Sequence, residues 1–227
     1  FQDTHGANTR AAVIGPAGEK LVRYAAVVST RRTAGRCGTG AVMGSKNLKG
    51  VAITANRRET LARPEEYQKL AREQVQTVLA NPAFENHKEW GTTATQDVTN
   101  GIGIYPVRNF VYGQMEDYSG LTGEAYRRFR TGDMGCYSCA ARCGKVHTIK
   151  EGPYEGAHSE GPEYETIWAF TGPVESDSLE ASVRADELCD DLGLDTISCG
   201  NTIGFAYELY EKGLITKDDT GGLELNW

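Results

Sequence analysis

Three cysteines within eight residues, Cys136-Tyr-Ser-Cys139-Ala-Ala-Arg-Cys143, constrain this 227-residue chain more than any other feature. A turn with Cys-x2-Cys-x3-Cys spacing can supply three thiolates of an iron–sulfur cubane from one stretch of chain, and the fourth comes from elsewhere. Zinc is the alternative, but it prefers two paired Cys/His units and no second pair is evident. His147 and His158 keep the zinc option open. Free buried thiols are the remaining reading. Cys37, Cys189 and Cys199 are scattered. Cys189 and Cys199 could provide a fourth ligand, although both fall in expected helices, where small buried residues are the simpler account. A tight cluster without a secretory leader points to metal ligation in a reducing compartment rather than to disulfides.

The start FQDTHGANTR is charged, with no apolar core behind it, so no leader peptide is expected there. No apolar run is long enough to span a membrane. A formal net charge of -7 argues against nucleic acid as a partner, because phosphate backbones call for a basic face. The chain does not begin with Met and stops at LELNW, so the expectation is a fragment, or a chain processed from a longer one.

Apolar runs at residues 11–14 and 24–28 predict short strands joined through a Gly-Pro-Ala-Gly turn, and residues 51–54 predict another. From Arg63-Pro64 onward the pattern becomes helical, with Pro at the start and acids in the first turn. A boundary is therefore expected near residue 60. Residues 91–122 are expected to be irregular. A helix is expected at EYETIWAF, another over LEASVRADELCDDLG with Ser178 as its cap, and a last one over residues 196–212. The expected fold class is α+β: a β-containing N-terminal part, residues 1–60, followed by a mainly α-helical region, residues 61–227.

Three further motifs bear on chemistry. Residues 35–49, GRCGTGAVMGSKNLK, combine glycines that let backbone N–H groups approach an anion with the charges of Arg36, Lys46 and Lys49. This suits a phosphate-bearing ligand, although the spacing is neither a P-loop nor a dinucleotide fingerprint, and a plain structural turn is an equal reading. In Asp190-Asp-Leu-Gly193-Leu-Asp195, carboxylates bracket a helix end. They can accept hydrogen bonds from a heterocycle, or simply terminate the helix. In Gly161-Pro-Glu163-Tyr-Glu165-Thr166, a glutamate at a helix start beside aromatic residues can be partly buried and serve as general acid or base. The plain reading of both glutamates is a pair of first-turn acids that complement the helix dipole.

Taken in order, GPAGE, GRCGTGAVMGSKNLK, CYSCAARC, GPEYET and DDLGLDTISCG resemble the aldehyde ferredoxin oxidoreductase family from about Ala11 to Gly213. The resemblance implies a tungsten or molybdenum bis-pterin centre, a nearby [4Fe–4S] cluster and a magnesium ion between pterin phosphates. It implies oxidation of an aldehyde to a carboxylic acid, with electrons passing to ferredoxin or an iron–sulfur partner subunit. A homo- or hetero-oligomer is expected, and the absent leader together with oxygen-sensitive cofactors points to the cytoplasm. Residues 1–60 would then close the pterin-covering domain. Carried over, Cys136, Cys139 and Cys143 are cluster ligands; Asp190, Gly193 and Asp195 form the first pterin-binding motif; Arg36, Cys37 and Gly38 lie where phosphate and magnesium are held. Glu165 matches the active-site glutamate, and Arg108-Asn109 falls near the cofactor. The family's fourth cluster cysteine, its other pterin contacts and a catalytic histidine fall beyond residue 227, so this chain alone is not expected to be a competent enzyme. Reduction of an aromatic acyl-CoA or a 2-oxo acid on the same scaffold is the nearest alternative. A non-catalytic zinc module and a simple iron–sulfur carrier are alternatives of other classes.

Overall fold

The computed structural model describes Gly6 and residues 8–29, 32–57 and 59–227. Most of the charged start, residues 1–5 and 7, lies outside them. Strand β1 (Thr9–Ile14) is followed by a short helix α1 (Pro16–Glu19), then β2 (Val27–Ser29) and β3 (Arg32–Ala34). Helix α2 (Thr39–Ser45) leads into β4 (Gly50–Thr54). The sheet is antiparallel, in the order β3-β2-β1-β4. The expected Gly-Pro-Ala-Gly turn is a helical turn instead, because Pro16 opens a helix as readily as it opens a turn.

Helix α3 (Pro64–Leu79) begins as expected, with Pro in its first turn, Glu65 and Glu66 beside it, and Arg63 2.9 Å from Glu66. None of its residues is buried. Helices α4 (Phe84–Trp90) and α5 (Gln96–Gly101) come next, joined by a 3-10 turn over Gly91–Thr95. The expected irregular stretch therefore starts only after residue 101, and glycine content alone misjudges residues 91–101.

Helix α6 (Gly123–Phe129) runs directly into the hairpin of β5 (Arg130–Met134) and β6 (Gly144–Thr148), and β7 (His158–Ser159) adds to β6. Three helices complete the chain: α7 (Tyr164–Thr171), α8 (Leu179–Leu192) and α9 (Thr196–Glu211). Ser178 caps α8 through a 3.1 Å bond from Ala181 N–H, as its position predicts.

The main core gathers Tyr105, Val107, Leu121, Tyr126, Phe129, Ile149, Ile167, Leu179 and Val183 under α7 and α8. Its polar atoms are paired: Tyr105 Oη lies 2.7 Å from Thr171 Oγ1, and Trp168 Nε1 donates to Pro106 O at 2.9 Å. Helix α9 crosses α7 at Gly200, where a Cβ would lie 2.0 Å from Ala169 O. Among the described residues no helix is long and apolar enough to cross a membrane.

Candidate functional site: two adjoining cavities and a cysteine loop

The turn from Asp190 to Asp195 is built into the N-terminal sheet. Gly193 ends α8 in the left-handed conformation, φ 71°, which a glycine adopts without a Cβ clash. From there Gly193 O accepts from Ala26 N–H at 2.8 Å, and Asp195 N–H donates to Tyr24 O at 3.0 Å. Gly15 closes the contact from the other side, since a Cβ there would lie 2.3 Å from Leu192 O.

Asp195 is buried, 4% exposed, and caps α9 by accepting from Ile197 N–H at 3.3 Å and Ser198 N–H at 3.1 Å. Arg36 Nε lies 3.9 Å from its carboxylate. Arg36 belongs to a short 3-10 turn in which Cys37 (φ 76°) and Gly38 (φ 66°) are both left-handed. Lys49, in contrast, is paired with Glu19 at 2.8 Å. Of the loop's own cations, Arg36, Lys46 and Lys49, Arg36 alone lines the two cavities beside it.

The first cavity, about 350 Å³, lies between the glycine loop and α8. Glu160, Glu163, Asp186, Asp190 and Asp195 face Arg32 and Arg36 across it. Asp190, opposite the two guanidinium groups, suits a ligand that has both N–H donors and phosphate anions. Burial, then the nearby Asp191 and Glu160, raises the Asp190 carboxyl above the usual carboxylate range.

The second cavity, about 480 Å³, shares Arg36 and Ile197 with the first and is lined by Glu165, Phe110, Trp168, Asn201 and Phe205. Glu165 is exposed rather than partly buried as expected, because Thr166, Ile167, Trp168 and Ala169 turn the other faces of α7 into the core. Arg108 and Asn109 do not line either cavity. Arg108 binds Glu175 at 2.5 Å, and Asn109 donates to Glu208. Their neighbour Phe110, also left-handed at φ 72°, reaches the second cavity.

The cysteine loop connects β5 to β6. Cys139 N–H donates to Cys136 O at 3.1 Å, and Ser138 (φ 55°) and Arg142 (φ 46°) take left-handed conformations that curl the loop. Cys136 and Cys139 are exposed and Cys143 is half-buried. Burial, then Glu163 and the other two cysteines, raises the Cys143 thiol. Beneath the loop Lys145 is fully buried and donates to Lys88 O at 2.5 Å, with Asp133 at 3.3 Å.

Among the described residues no group of three His, Cys, Asp or Glu side chains converges as a finished metal site. In donor type and spacing the loop still fits an iron–sulfur cluster that takes a further thiolate from elsewhere. The histidines considered for a zinc site are held through Nδ1, and among the described residues neither converges with the cysteines into a group of three ligands. His147 Nδ1–H donates to Gly161 O, and His158 Nδ1 lies 3.0 Å from Thr148 Oγ1. Cys189 and Cys199 are hydrogen-bonded to each other between α8 and α9.

Sequence reasoning missed Ser159 and Asp186, and it weighed His147 only as a zinc ligand. His147 is fully buried, and burial pushes its imidazole from 6.5 down to about 4. Between those values the unfolded chain binds a proton that the folded one refuses. Its stabilising contribution is thus complete above 6.5 and is lost as pH falls through about 4, on the order of 3 kcal/mol. Asp186 acts in the opposite sense. Burial pushes it from 3.8 to about 7 against the Ser159 hydrogen bond, with Asp190 and Glu163 adding repulsion. Its contribution is full below 3.8 and is lost as pH rises through about 7. In paired melts, His147→Asn is expected to gain on the wild type as pH drops from about 6.5 to about 4. A pH-independent difference in Tm would contradict the buried neutral imidazole.

A family model described as aldehyde ferredoxin oxidoreductase, N-terminal domain, matches residues 1–55, and a second, described as domains 2 and 3, matches residues 69–227. The chain is 40% identical over 213 residues to the tungsten-containing aldehyde ferredoxin oxidoreductase of Thermococcus kodakarensis, covering 92% of this chain and 34% of the relative. It is 38% identical over 224 residues to the aliphatic sulfonate oxidoreductase, WOR-like subunit, of Pyrococcus furiosus, covering 94% of this chain and 34% of that one. Among solved structures, a chain of the active site complex BamBC of benzoyl coenzyme A reductase with 1,5-dienoyl-CoA superposes with a TM-score of 0.75 at 25% identity, over 98% of this chain and 35% of that chain. The chain spans about a third of the length of the curated relatives it matches.

Proposed function

The chain belongs to the aldehyde ferredoxin oxidoreductase family, and on that premise we propose that it forms part of a tungsten-dependent oxidoreductase that converts an aldehyde to a carboxylic acid. The observation that carries this reading is the position of Arg36, on the wall of both the acid-lined cavity and the cavity of Glu165. A cofactor phosphate held by Arg36 would lie beside the place where a carbonyl substrate meets a carboxylate.

When bound, a tungsten or molybdenum bis-pterin with its magnesium ion supplies the two-electron oxidation. The chain's own residues do the rest. Arg36 and the left-handed backbone of Cys37 and Gly38 face phosphate. Asp190 accepts from ring N–H groups, while Gly193 and Asp195 fix the turn that presents it. Glu165 takes the proton released as water adds to the aldehyde carbon. Cys136, Cys139 and Cys143 would hold a [4Fe–4S] cluster, which would supply one-electron transfer toward ferredoxin or an iron–sulfur subunit.

The same reading divides the chain near residue 60, into the end of a pterin-covering domain and a helical domain. It includes assembly as a homo- or hetero-oligomer in the cytoplasm, without nucleic acid or membrane. The likeness to a benzoyl coenzyme A reductase complex supports a second reading, in which the same site reduces an aromatic acyl-CoA. The aldehyde reading is preferred on the higher identity to the tungsten-containing aldehyde enzymes.

The test is metal and pterin analysis of the full-length protein purified without oxygen, followed by turnover on aldehydes and on aromatic acyl-CoA thioesters. Tungsten or molybdenum with about four irons per protomer is expected, together with aldehyde oxidation. Zinc without pterin would end the enzyme assignment, and turnover confined to acyl-CoA would select the second reading.

A further inference from the structure

Gly161, which opens the GPEYET segment, is gripped at both of its backbone groups. Its N–H donates to Ser159 Oγ at 2.9 Å, and its carbonyl accepts from His147 Nδ1–H. Ser159 and His147 sit opposite each other on β7 and β6, so one sheet register supplies both grips. The Ser159 hydroxyl spends its own proton on Asp186 Oδ2. Asp186 comes from α8, one helical turn before Asp190, and the two share a face on the first cavity. The approach is so close that a Cβ on residue 161 would lie 2.9 Å from Asp186 Oδ2 and 3.2 Å from Glu163 N.

The chain beyond Gly161 is stiff. Pro162 has a fixed φ and no N–H. Glu163 is then tied to Thr92, whose hydroxyl donates to its carboxylate and accepts from Tyr164 N–H at 3.0 Å. The first turn of α7, which carries Glu165, therefore inherits its position from Gly161.

We infer that Asp186 is a positioning residue for Glu165: through Ser159 it fixes Gly161 and with it the N-terminal turn of α7 on the wall between the two cavities. The inference rests on the proposed role of Glu165, but its structural part can be read without turnover. Asp186 needs only to accept a hydrogen bond, which an amide oxygen also does. Asn is therefore the conservative replacement and Ala the disruptive one.

The experiment uses the full-length protein with its cofactors and follows hydrogen–deuterium exchange in the peptide spanning residues 159–167. Asp186→Ala and Ser159→Ala are each expected to speed exchange there by roughly fivefold to tenfold, the equivalent of one lost hydrogen bond. The double variant should be no faster than either single one. Asp186→Asn should exchange like the wild type. Turnover should fall about tenfold or more in Asp186→Ala, with tungsten and pterin content unchanged, and recover in Asp186→Asn. Should Asp186→Ala not fold, Ser159→Ala carries the same test with a smaller excision. Unchanged exchange in Ser159→Ala, or exchange in Asp186→Asn raised as far as in Ser159→Ala, would overturn the inference. Glu165→Gln separates the two claims: it should lower turnover without changing exchange. Full turnover there would remove the role of Glu165 and leave the exchange data to decide whether Asp186 holds the loop.

Discussion

Exchanging Cys139 for alanine in the full-length protein is expected to abolish the iron–sulfur cluster proposed for the cysteine loop, taking iron from about four atoms per protomer to nearly none. Cys139 is the middle thiol of the loop and is hydrogen-bonded to Cys136 through the backbone. No other cysteine among the described residues stands ready to replace it. Cys189 and Cys199 are engaged with each other, and Cys37 belongs to the glycine loop. The fold should survive, because the Cys139 side chain is exposed and the hairpin beneath it is held by β5–β6 pairing and by buried Lys145. Iron analysis and the electron paramagnetic resonance of the reduced protein decide the matter, with circular dichroism as the control for folding. Full iron and an unchanged signal would remove Cys139 from the ligand set.

Glu165→Gln is expected to lower kcat by about a hundredfold to ten-thousandfold, the usual worth of a positioned acid–base group. The amide keeps the shape and loses the ability to take a proton. Since Glu165 is exposed and in the first turn of α7, the substitution should cost little stability beyond a weakened helix-dipole interaction. Tungsten and pterin content should not change, because the residues proposed to hold the cofactor lie on the glycine loop and the turn from Asp190 to Asp195. A fall in kcat with KM nearly constant would identify a group needed in the transition state rather than for binding. Turnover equal to that of the wild type would exclude Glu165 from proton transfer.

The sequence was informative where chemistry is local. Pro64 with its following acids, Ser178 before an apolar repeat and Gly193 after one each mark a helix end by a short-range rule, and each does so in the structure. Strands β1 and β4 were visible as apolar runs. The hairpin around the cysteines was not, because Arg130–Met134 and Gly144–Thr148 contain glycine, charge and histidine instead of an apolar alternation. Lys145 and His147 are buried there in contact with Lys88, Tyr126 and Gly161, which no local pattern announces. Asp195 reads equally as a heterocycle acceptor, yet in the fold its oxygens chiefly cap α9, a use that depends on the direction of the chain after it. Asp186 escaped notice for a related reason. Its partner Ser159 lies 27 positions away, so spacing gave no sign that they meet.

The contact between Gly15 and the end of α8 has a bearing on how this chain can be recombined. Ala26, Tyr24 and Gly15 hold Leu192, Gly193 and Asp195 through backbone atoms, so the join is insensitive to most side chains but intolerant of a Cβ at either glycine. A hybrid that takes residues 1–55 from one relative and the remainder from another should therefore assemble across modest sequence differences, provided both parents carry glycine at these two positions. Such hybrids would let the glycine loop and the aspartate turn be exchanged as separate cassettes, and the contribution of each to cofactor choice be read independently.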